Sequence, residues 1–538
     1  MPTLTPTAPA TQVRTWLNDG EEIALLDVRE AGQFGEGHPF FAIPLPYSRL
    51  ELDVLRLVPR KATRIVLVDA GDGISEKAAS QLTTLGYTHV HSLAGGAPGW
   101  LAAGYVLFKG VNLPSKTFGE QVEHTFDTPH ISAQQLQVRL TSGEPLLLLD
   151  GRTFDEHRKM TIPGAVSVPN GELAARWQTL APDATTPIVI HCAGRTRSII
   201  GAQILRSLGI PNPVVALENG TQGWALAGFQ LEHGSTRRDS ATIKTSDIVR
   251  SLAAREAAQA DVLTLSAEQA QTWLDDSQRT TYALDVRSAE EFAAGTLQGA
   301  RHAAGGQLLQ ATDQTIGVRG SRVIVLDDEN VRAPVVAAWL RRLGLDAAIV
   351  EGGISAPLRV PSIESPALTD ISEISLGELA IWVAKHKPQL IDVQPSLAYR
   401  VRHAAGARWS LRPRIASDLQ ADQINEPDTP DRSVLLLAAD CSTAQLAATD
   451  LLAAGLHNVS WATTESWAGA GLLVEATPSL PSDADAIDYL FFVHDRHDGN
   501  LEAARRYLEW ETGLIAQCKP DELGVFRLDA KPAATHLR

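Results

Sequence analysis

Cysteine is scarce in this sequence, whose 538 residues include three: Cys192, Cys441 and Cys518. They are far apart and odd in number, so they do not form the framework of a disulfide-rich secreted domain. No Cys-x-x-Cys pair is present, which removes the usual sign of a structural zinc site. We therefore expect a protein of a reducing compartment, with no bound metal and no organic cofactor.

Long apolar runs and clusters of positive charge are missing as well. No segment approaches the roughly 18 uninterrupted apolar residues of a membrane-spanning helix. The first residues, MPTLTPTAPATQVRTW, lack the basic start and apolar stretch of a signal peptide, so we expect a cytoplasmic protein with no membrane partner. Lys and Arg number 47 against 63 Asp and Glu, a net charge of −16 that disfavours nucleic acid as a partner.

The sequence instead contains one unit in four copies. Each copy has a helix-like segment followed by a short apolar run that ends in an aspartate. The four aspartates are Asp27, Asp150, Asp285 and Asp392. Short apolar runs bounded by polar residues are typical of buried parallel strands. Because strands and helices alternate, we predict an α/β fold in which each unit is a mainly parallel sheet with helices on both faces.

The spacing between the first and second apolar runs is the strongest sign of the repeat. It is 42 positions in the first three copies and 46 in the fourth. The residues at the end of the second run are Asp69, Cys192, Asp327 and Ala438. Parallel α/β sheets bind ligands at the carboxyl ends of their strands, so these positions are the candidate sites. Only Cys192 offers a nucleophile.

The repeat divides the chain into four domains and a tail. We place the domains at residues 1–112, 113–243, 244–365 and 366–480, and the C-terminal tail at residues 481–538. The tail contains an amphipathic helical segment with aromatic residues that need burial. We expect this segment to pack on the body of the protein or on a second subunit, and a homodimer is one expected assembly.

Cys192 opens a loop with the features of an anion-binding site. A tight loop before a helix, which we expect to begin at Ser198, directs backbone N–H groups inward, and the helix N-terminus and two arginines add positive charge. These features favour a thiolate over a thiol and suit an oxyanion such as the sulfonate end of thiosulfate. A lone buried cysteine is commonly a small apolar residue, but the electropositive surroundings favour catalysis. The predicted substrate-binding residues are Ala193, Gly194, Arg195, Thr196, Arg197 and Ser198.

Four segments of the second unit together resemble the rhodanese superfamily: LLLLDGRTFDEH, IPGAVSVPNGEL, HCAGRTRS and ENGTQGWALAG. The resemblance extends over four tandem rhodanese-like domains and leaves out the tail. It implies a sulfurtransferase in which Cys192 takes a sulfane sulfur from a small anionic donor and passes it to cyanide, a thiol or an acceptor protein. It also implies structural roles for Asp150, Arg152 and Trp224. His191 ends the strand and is not expected to act as a base.

The first, third and fourth units are expected to be inactive. Asp69 and Asp327 cannot form a persulfide, and their carboxylates would repel an anionic substrate. Cys441 lies three positions beyond the expected place in the fourth unit, so it is a second candidate nucleophile, but it lacks basic neighbours. The role of Cys518, next to Lys519, cannot be read from the sequence.

Two other functions stay open at this point. The superfamily includes phosphatases whose loop is one residue longer, with the arginine six positions after the cysteine, whereas Arg197 is five positions after Cys192. Since three units lack the cysteine, the chain is alternatively a scaffold or sulfur-relay protein that binds a partner through those units. Long basic side chains from elsewhere, such as Lys116 or Arg176, are candidates to join the site.

Overall fold

The computed structural model describes residues 5–181, 183–239, 245–419, 433–496 and 499–528. It contains four five-stranded parallel sheets that follow one another along the chain, each flanked by helices, and a helical C-terminal region. This confirms the predicted α/β fold. Each sheet lies inside one of the predicted domains. The domain boundaries stay predictions, and the boundary at residue 243 lies outside the described residues.

The first sheet has the strand order β1-β5-β4-β2-β3 once its strands are numbered along the chain: β1 (Thr7–Ala8), β2 (Ile23–Asp27), β3 (Ile43–Pro44), β4 (Arg64–Val68) and β5 (Val90–Leu93). All five residues of β2 are buried, as expected for a parallel strand covered on both faces. The helices of this unit are Ala10–Trp16, Ala31–Glu36, Leu50–Leu57, Ile74–Thr84 and Gly96–Ala102, with a 3₁₀ turn at Tyr47–Arg49.

The second sheet repeats this order with β6 (His130–Ile131), β7 (Leu147–Asp150), β8 (Val166–Ser167), β9 (Ile188–His191) and β10 (Val214–Leu217). Its central strand, β9, is buried throughout and ends one residue before Cys192. The helices are Leu113–Phe126, Ala133–Ser142, Phe154–Lys159, Leu173–Leu180, Thr196–Leu208 and Gly220–Leu226, with a 3₁₀ turn at Asn170–Glu172. The helix Leu113–Phe126, which precedes the sheet, is called the bridging helix below.

The third sheet is formed in the same order by β11 (Leu263–Leu265), β12 (Thr281–Asp285), β13 (Arg301–His302), β14 (Arg322–Leu326) and β15 (Asp346–Val350). The helices of this unit are Asp247–Gln259, Ala267–Asp275, Ala289–Ala294, Gly305–Gln310 and Arg332–Arg342, with 3₁₀ turns at Thr312–Gln314 and Gly353–Ser355. One continuous apolar core joins the first three units, since it includes Leu26, Leu149 and Leu284.

The fourth unit keeps the parallel sheet and adds a small antiparallel pair of strands, His403–Ala404 with Val474–Glu475. Its strands are β16 (Ser372–Glu373), β17 (Gln389–Asp392), β18 (His403–Ala404), β19 (Arg408–Trp409), β20 (Val434–Ala438), β21 (Val459–Thr463) and β22 (Val474–Glu475). The sheet order is β16-β21-β20-β17-β19. The helices whose two ends lie among the described residues are Leu376–His386, Ser396–Val401, Cys441–Ala453 and Thr464–Gly469.

The tail packs on the body of the protein, which is one of the two alternatives that the sequence left open. Its helices are Phe491–His494, Leu501–Thr512, Leu514–Gln517 and Pro520–Leu523. The longest, Leu501–Thr512, is called the tail helix below, and it packs against the bridging helix and the helix Gly220–Leu226 of the second unit. None of the helices in the described ranges is both long and apolar enough to cross a membrane.

Strand-end ion pairs and tryptophans recur between units. Asp150 accepts hydrogen bonds from Nε and Nη2 of Arg152 at 2.9 and 2.8 Å, and Asp27 with Arg29 and Asp285 with Arg287 repeat the arrangement. In three units a buried tryptophan donates its indole N–H to a backbone carbonyl six positions further on. These tryptophans are Trp100, Trp224 and Trp467. Their burial supports the structural roles assigned to both features.

Candidate functional site

Cys192 lies at the carboxyl end of β9 and is 2% exposed. Its carbonyl accepts the backbone N–H of Thr221 at 2.8 Å, which ties the loop to the following strand–helix junction. Gly220 makes this approach possible, because its φ is 51° and a Cβ there would lie 2.2 Å from the Cys192 carbonyl oxygen. The helix after the loop begins at Thr196, two residues earlier than the sequence suggested.

The thiol of Cys192 donates to Ser198 Oγ at 3.6 Å, and Ser198 Oγ in turn donates to the Arg195 carbonyl at 2.7 Å. The backbone N–H groups of residues 194–198 have no acceptor among the described residues. The loop that begins at Cys192 therefore offers backbone hydrogen-bond donors that no acceptor in the described part of the chain uses.

The equivalent loop of the third unit shows how an anion is held. Asp327 occupies the position of Cys192, and its buried carboxylate accepts three backbone N–H groups at 2.9–3.2 Å. The donors are Asn330, Val331 and Ala333, whose counterparts in the second unit are Arg195, Thr196 and Ser198. The aspartate itself thus fills the concave face of its own loop.

The first unit uses its aspartate in the same way. Asp69 accepts the N–H of Gly71 at 2.9 Å and the N–H of Ser75 at 3.1 Å. The counterparts of these donors beside Cys192 are Gly194 and Ser198. Sequence reasoning treated the two aspartates as a source of repulsion. The structure shows that each aspartate also accepts hydrogen bonds from the backbone N–H groups of its own loop.

His191 belongs to the polar cluster at the strand end. Its ring is fully buried, with Nε2 3.7 Å from Asp150 Oδ2 and 3.4 Å from Thr161 Oγ1. Burial lowers the pKa of His191 to about 4, so the imidazole is neutral near pH 7. This arrangement gives the histidine a packing role and supplies no base for Cys192.

Arg195 does not present a free positive charge. Its Nε donates to Glu120 Oε1 of the bridging helix at 2.8 Å, and Nη2 donates to Glu120 and Glu123. Burial raises the pKa of Glu120 to about 7, even though the guanidinium opposes this shift. The net charge of the cluster formed by Arg195, Glu120 and Glu123 therefore changes with pH in the neutral range, because Glu120 gains or loses its proton there.

Arg197 is paired in the same manner. Its Nη1 and Nη2 donate to the two carboxylate oxygens of Glu156 at 2.7 and 2.6 Å, and Nη1 also lies 3.3 Å from Gln307 Oε1 of the third unit. Burial acts to raise the pKa of Glu156, but the guanidinium outweighs it and holds this pKa at about 2. The positive charge that the sequence assigns to the two arginines is thus offset by carboxylates, because burial near the loop requires a partner for each guanidinium.

A glutamate of the tail contacts the loop that follows Cys192. Glu511, which is 1% exposed, accepts the hydroxyl of Thr196 at 2.8 Å and the ammonium of Lys116 at 3.0 Å. Lys116, a candidate from the sequence, thus reaches the site through this carboxylate. Arg176, the other candidate, donates to Glu172 and Asp239.

Sequence reasoning missed Glu511, although a signal was present. The buried face of the tail helix consists of Ala503, Ala504, Tyr507, Leu508 and Glu511, which recur at the helical intervals of three and four residues. A glutamate on the apolar face of an amphipathic helix needs a buried partner, so its position indicated an ion pair. The partner lies 395 positions away in the chain, and no local pattern identifies it.

The third unit forms another side of the site. Asn170 of the second unit donates its side-chain amide to the Arg197 carbonyl at 2.8 Å. The next residue, Gly171, lies so close to the third unit that a Cβ there would be 2.7 Å from the N atom of Gly306. The Cys192 loop is therefore enclosed by its own unit, the third unit, the bridging helix and the tail helix.

The other two cysteines lie in environments that oppose thiolate formation. Burial and the neighbouring carboxylates of Glu373 and Asp440 raise the pKa of Cys441. Burial and Glu522 raise the pKa of Cys518 to about 12. Both effects disfavour the nucleophilic form, so neither cysteine is a good substitute for Cys192.

Among the described residues, one group of three carboxylates is close enough together to bind a cation: Glu291, Asp328 and Glu329. The guanidinium of Arg332 lies among them and donates to all three. The arginine takes the place that a cation would occupy, and the group carries no sign of a metal centre.

Sequence comparisons identify the repeated unit. The profile of the rhodanese-like domain family matches residues 9–103, 132–227 and 266–357, which together exceed half of the chain. A crystal structure of thiosulfate sulfurtransferase from Pseudomonas aeruginosa is similar over 97% of this chain and 99% of its own, with 39% identity and a TM-score of 0.87.

Two curated proteins match shorter stretches. Putative sulfur carrier protein YrkF of Bacillus subtilis is 31% identical over 102 residues, which are 19% of this chain and 54% of that protein. The HTH-type transcriptional regulator Rv0324 of Mycobacterium tuberculosis is 33% identical over 107 residues, 20% of this chain and 45% of the regulator. The chain thus spans about half the length of the curated relatives that it matches.

Proposed function

Because the chain belongs to the rhodanese-like domain family, we propose that it is a sulfurtransferase that carries a sulfane sulfur on Cys192. The similarity to a thiosulfate sulfurtransferase over nearly the whole chain supports sulfur transfer as the reaction class. Thiosulfate is the donor we propose first, and cyanide or a thiol is the proposed acceptor.

One observation carries the proposal: the comparison of the three equivalent loops. In the first and third units a carboxylate is bound by the loop N–H groups, whereas in the second unit a cysteine takes the place of the aspartate and the equivalent donors are unused among the described residues. Donors that hold a carboxylate can also hold a thiolate, a persulfide or the oxygens of a sulfonate. The second unit therefore combines an anion site with a nucleophile.

In the first step the Cys192 thiolate attacks the outer sulfur of thiosulfate. An S–S bond forms to Cys192, the S–S bond of thiosulfate breaks, and sulfite leaves with the bonding electron pair. The loop N–H groups stabilise the negative charge on the persulfide. This is covalent catalysis, and the step as written requires no metal or organic cofactor.

In the second step an acceptor attacks the outer sulfur of the persulfide. Cyanide takes this sulfur and leaves as thiocyanate, and the electron pair of the broken S–S bond returns to the Cys192 thiolate. A thiol acceptor yields its own persulfide by the same displacement. The paired state of Arg195 and Arg197 makes the backbone N–H groups the main electrostatic contribution to both steps.

The test is an intact-mass measurement on the purified protein. After incubation with thiosulfate and removal of excess donor, we expect a gain of one sulfur atom that maps to Cys192 and disappears on addition of cyanide. A gain on Cys441 or Cys518 would contradict the assignment of the site. No gain with thiosulfate would remove it as the donor and direct the search to persulfide donors.

A sulfur-relay or scaffold function is the second candidate, and the burial of Cys192 favours it. At 2% exposure the thiol is covered by residues of several elements, which suits transfer to a specific docked protein rather than to any small thiol. Iodoacetamide labelling as a function of pH separates the two. Fast labelling of Cys192 at neutral pH supports catalysis with small substrates, and slow uniform labelling of all three cysteines supports the scaffold.

A further inference from the structure

Glu511 brings a negative charge from the tail to the loop of Cys192. Its Oε1 accepts from the loop hydroxyl of Thr196. Its Oε2 faces the loop backbone, because a Cβ built on Gly194 would lie 2.9 Å from this oxygen. The side chain is 1% exposed, so water screens its charge little. An uncompensated carboxylate here would oppose both a thiolate and an anionic donor.

Lys116 balances this carboxylate. Its ammonium is 3.0 Å from Glu511 Oε1 and lies over two rings of the tail helix, 5.1 Å from the centroid of Tyr507 and 5.7 Å from that of Trp510. The lysine is 6% exposed. In a buried ion pair the two opposite charges offset each other's electrostatic effect on nearby groups. Removal of one charge therefore exposes those groups to the full effect of the other.

We propose that Lys116 and Glu511 set the charge of the Cys192 pocket and so determine how well it accepts an anionic sulfur donor. The proposal rests on the proposed function, which it extends to donor selectivity. Lys116 comes from the bridging helix and Glu511 from the tail helix, so donor selectivity depends on a docked tail. With the pair intact the two charges cancel at the loop, and the backbone N–H groups bind the donor.

Most other charged groups near the loop are paired with a group of opposite charge. Arg195 is bound by Glu120 and Glu123 of the bridging helix, and Arg197 is bound by Glu156. On the tail side, Arg496 lies 3.5 Å from the ring centroid of Tyr507, and its charge acts on both Lys116 and Glu511. At the strand end, Asp150 is bound by Arg152 and His157 beside His191. Variants of Lys116 and Glu511 leave all of these pairs in place.

The two single variants have opposite expected effects. Glu511→Gln keeps the size of the side chain and an acceptor for Thr196, but it leaves Lys116 as a free cation, so the KM for thiosulfate should fall about tenfold. Lys116→Met keeps the length of the side chain and removes the hydrogen-bonded cation of Glu511, which leaves Arg496 as a more distant cation, so this KM should rise, by a factor of up to about ten. The double variant should return close to the wild type.

The pH profile of Cys192 alkylation by iodoacetamide provides a readout that does not need a donor. Peptide mapping separates Cys192 from Cys441 and Cys518. The midpoint of the profile should move to lower pH in Glu511→Gln, to higher pH in Lys116→Met, and back in the double variant. Damage to packing would slow alkylation in the same direction in both variants, and that result, or no shift in either, would overturn the proposal.

Arg14→Met is the matched control for tail docking. Arg14 binds Asp521 and Glu522 of the tail, so its loss weakens the tail contact with the first unit without changing the pair at the loop. We expect wild-type KM values for thiosulfate from Arg14→Met. A changed KM in Arg14→Met together with a wild-type KM in Glu511→Gln would assign the effect to docking alone and overturn the proposal.

Two further outcomes keep this inference separate from the proposed function. If the wild type gains no sulfur from thiosulfate, the proposed donor fails, while the alkylation profiles still test the charge pair. If Lys116→Met does not fold, Glu511→Gln can still be compared with the double variant. The alkylation midpoint should be lower in Glu511→Gln than in the double variant. A double variant that keeps the full shift of Glu511→Gln would then show that Lys116 carries no effect and overturn the proposal.

Discussion

Glu172 of the second unit accepts a hydrogen bond from Arg332 of the third, 3.1 Å from Nη1 to Oε1. The reverse contact also exists, since Arg197 of the second unit lies 3.3 Å from Gln307 of the third. Arg332 is the counterpart of Arg197, and Gln307 is the counterpart of Glu172, each 135 positions later in the sequence. The two loops thus contact each other's units through matching residues. A unit that lacks the cysteine therefore has a structural role beside Cys192.

Replacing the nucleophile should abolish sulfur transfer without unfolding the protein. Cys192→Ser nearly keeps the side-chain volume and the contact with Ser198, but serine has no sulfur atom on which a persulfide could form. We expect no gain of sulfur and no thiocyanate production, with an unchanged circular dichroism spectrum. Cys441→Ser and Cys518→Ser are the controls and should keep wild-type rates. Retained turnover in Cys192→Ser would move the active site elsewhere.

Binding of an anionic donor should depend on pH through Glu120. With a pKa of about 7, this carboxyl group is protonated below neutrality and charged above it. Protonation removes one of the two carboxylates on Arg195, so the KM for thiosulfate should decrease as the pH falls through about 7.

Glu120→Gln tests this prediction, because its side chain stays neutral at every pH. The KM of this variant should equal the low-pH value of the wild type and should not change between about pH 6 and about pH 8. Glu36→Gln is the control, since Glu36 forms an exposed pair with Lys109 and should keep the wild-type profile. A Glu120→Gln profile identical to the wild type would contradict the assignment.

Removal of the bound aspartate in the third unit should destabilise its loop. Asp327→Ala leaves three backbone N–H groups without their acceptor, which should cost about 3 kcal/mol locally. Hydrogen–deuterium exchange of residues 330–333 should then be about a hundredfold faster. Asp247→Ala removes an exposed aspartate and should leave exchange in this loop unchanged. Unchanged exchange in Asp327→Ala would contradict the role of the carboxylate as a bound ligand.

Close packing of the bridging helix on the loop should be needed for activity. A Cβ at Gly119 would lie 2.8 Å from Thr196 Cγ2 and 3.2 Å from its Cα. Gly119→Ala should therefore displace the loop and slow persulfide formation about tenfold or more, although alanine favours the helix. Gly377→Ala is the matched control, because a Cβ there meets no atom within 4 Å. Equal persulfide rates in the two variants would show that the loop tolerates the shift.

The sequence by itself determined the repeated α/β fold and the position of the nucleophile. Both depend on patterns that are local in the chain: the apolar runs of buried strands, the spacing of 42 positions, and a cysteine rather than an aspartate at one strand end. The tail helix was also readable, because its apolar face follows helical spacing. The start of the following helix was misplaced by two residues, since a tight loop and a first helical turn share the same residue types.

Only the tertiary structure decided the electrostatics of the site. The sequence analysis assigned positive charge to Arg195 and Arg197 without identifying a partner, and both are bound by carboxylates on other elements. Glu511 reaches the loop across 315 positions of sequence. The charge that a buried group expresses depends on which partners are packed against it, and those partners are set by the folding of distant segments. For this reason the nucleophile could be predicted from the chain, and the charge of its pocket could not.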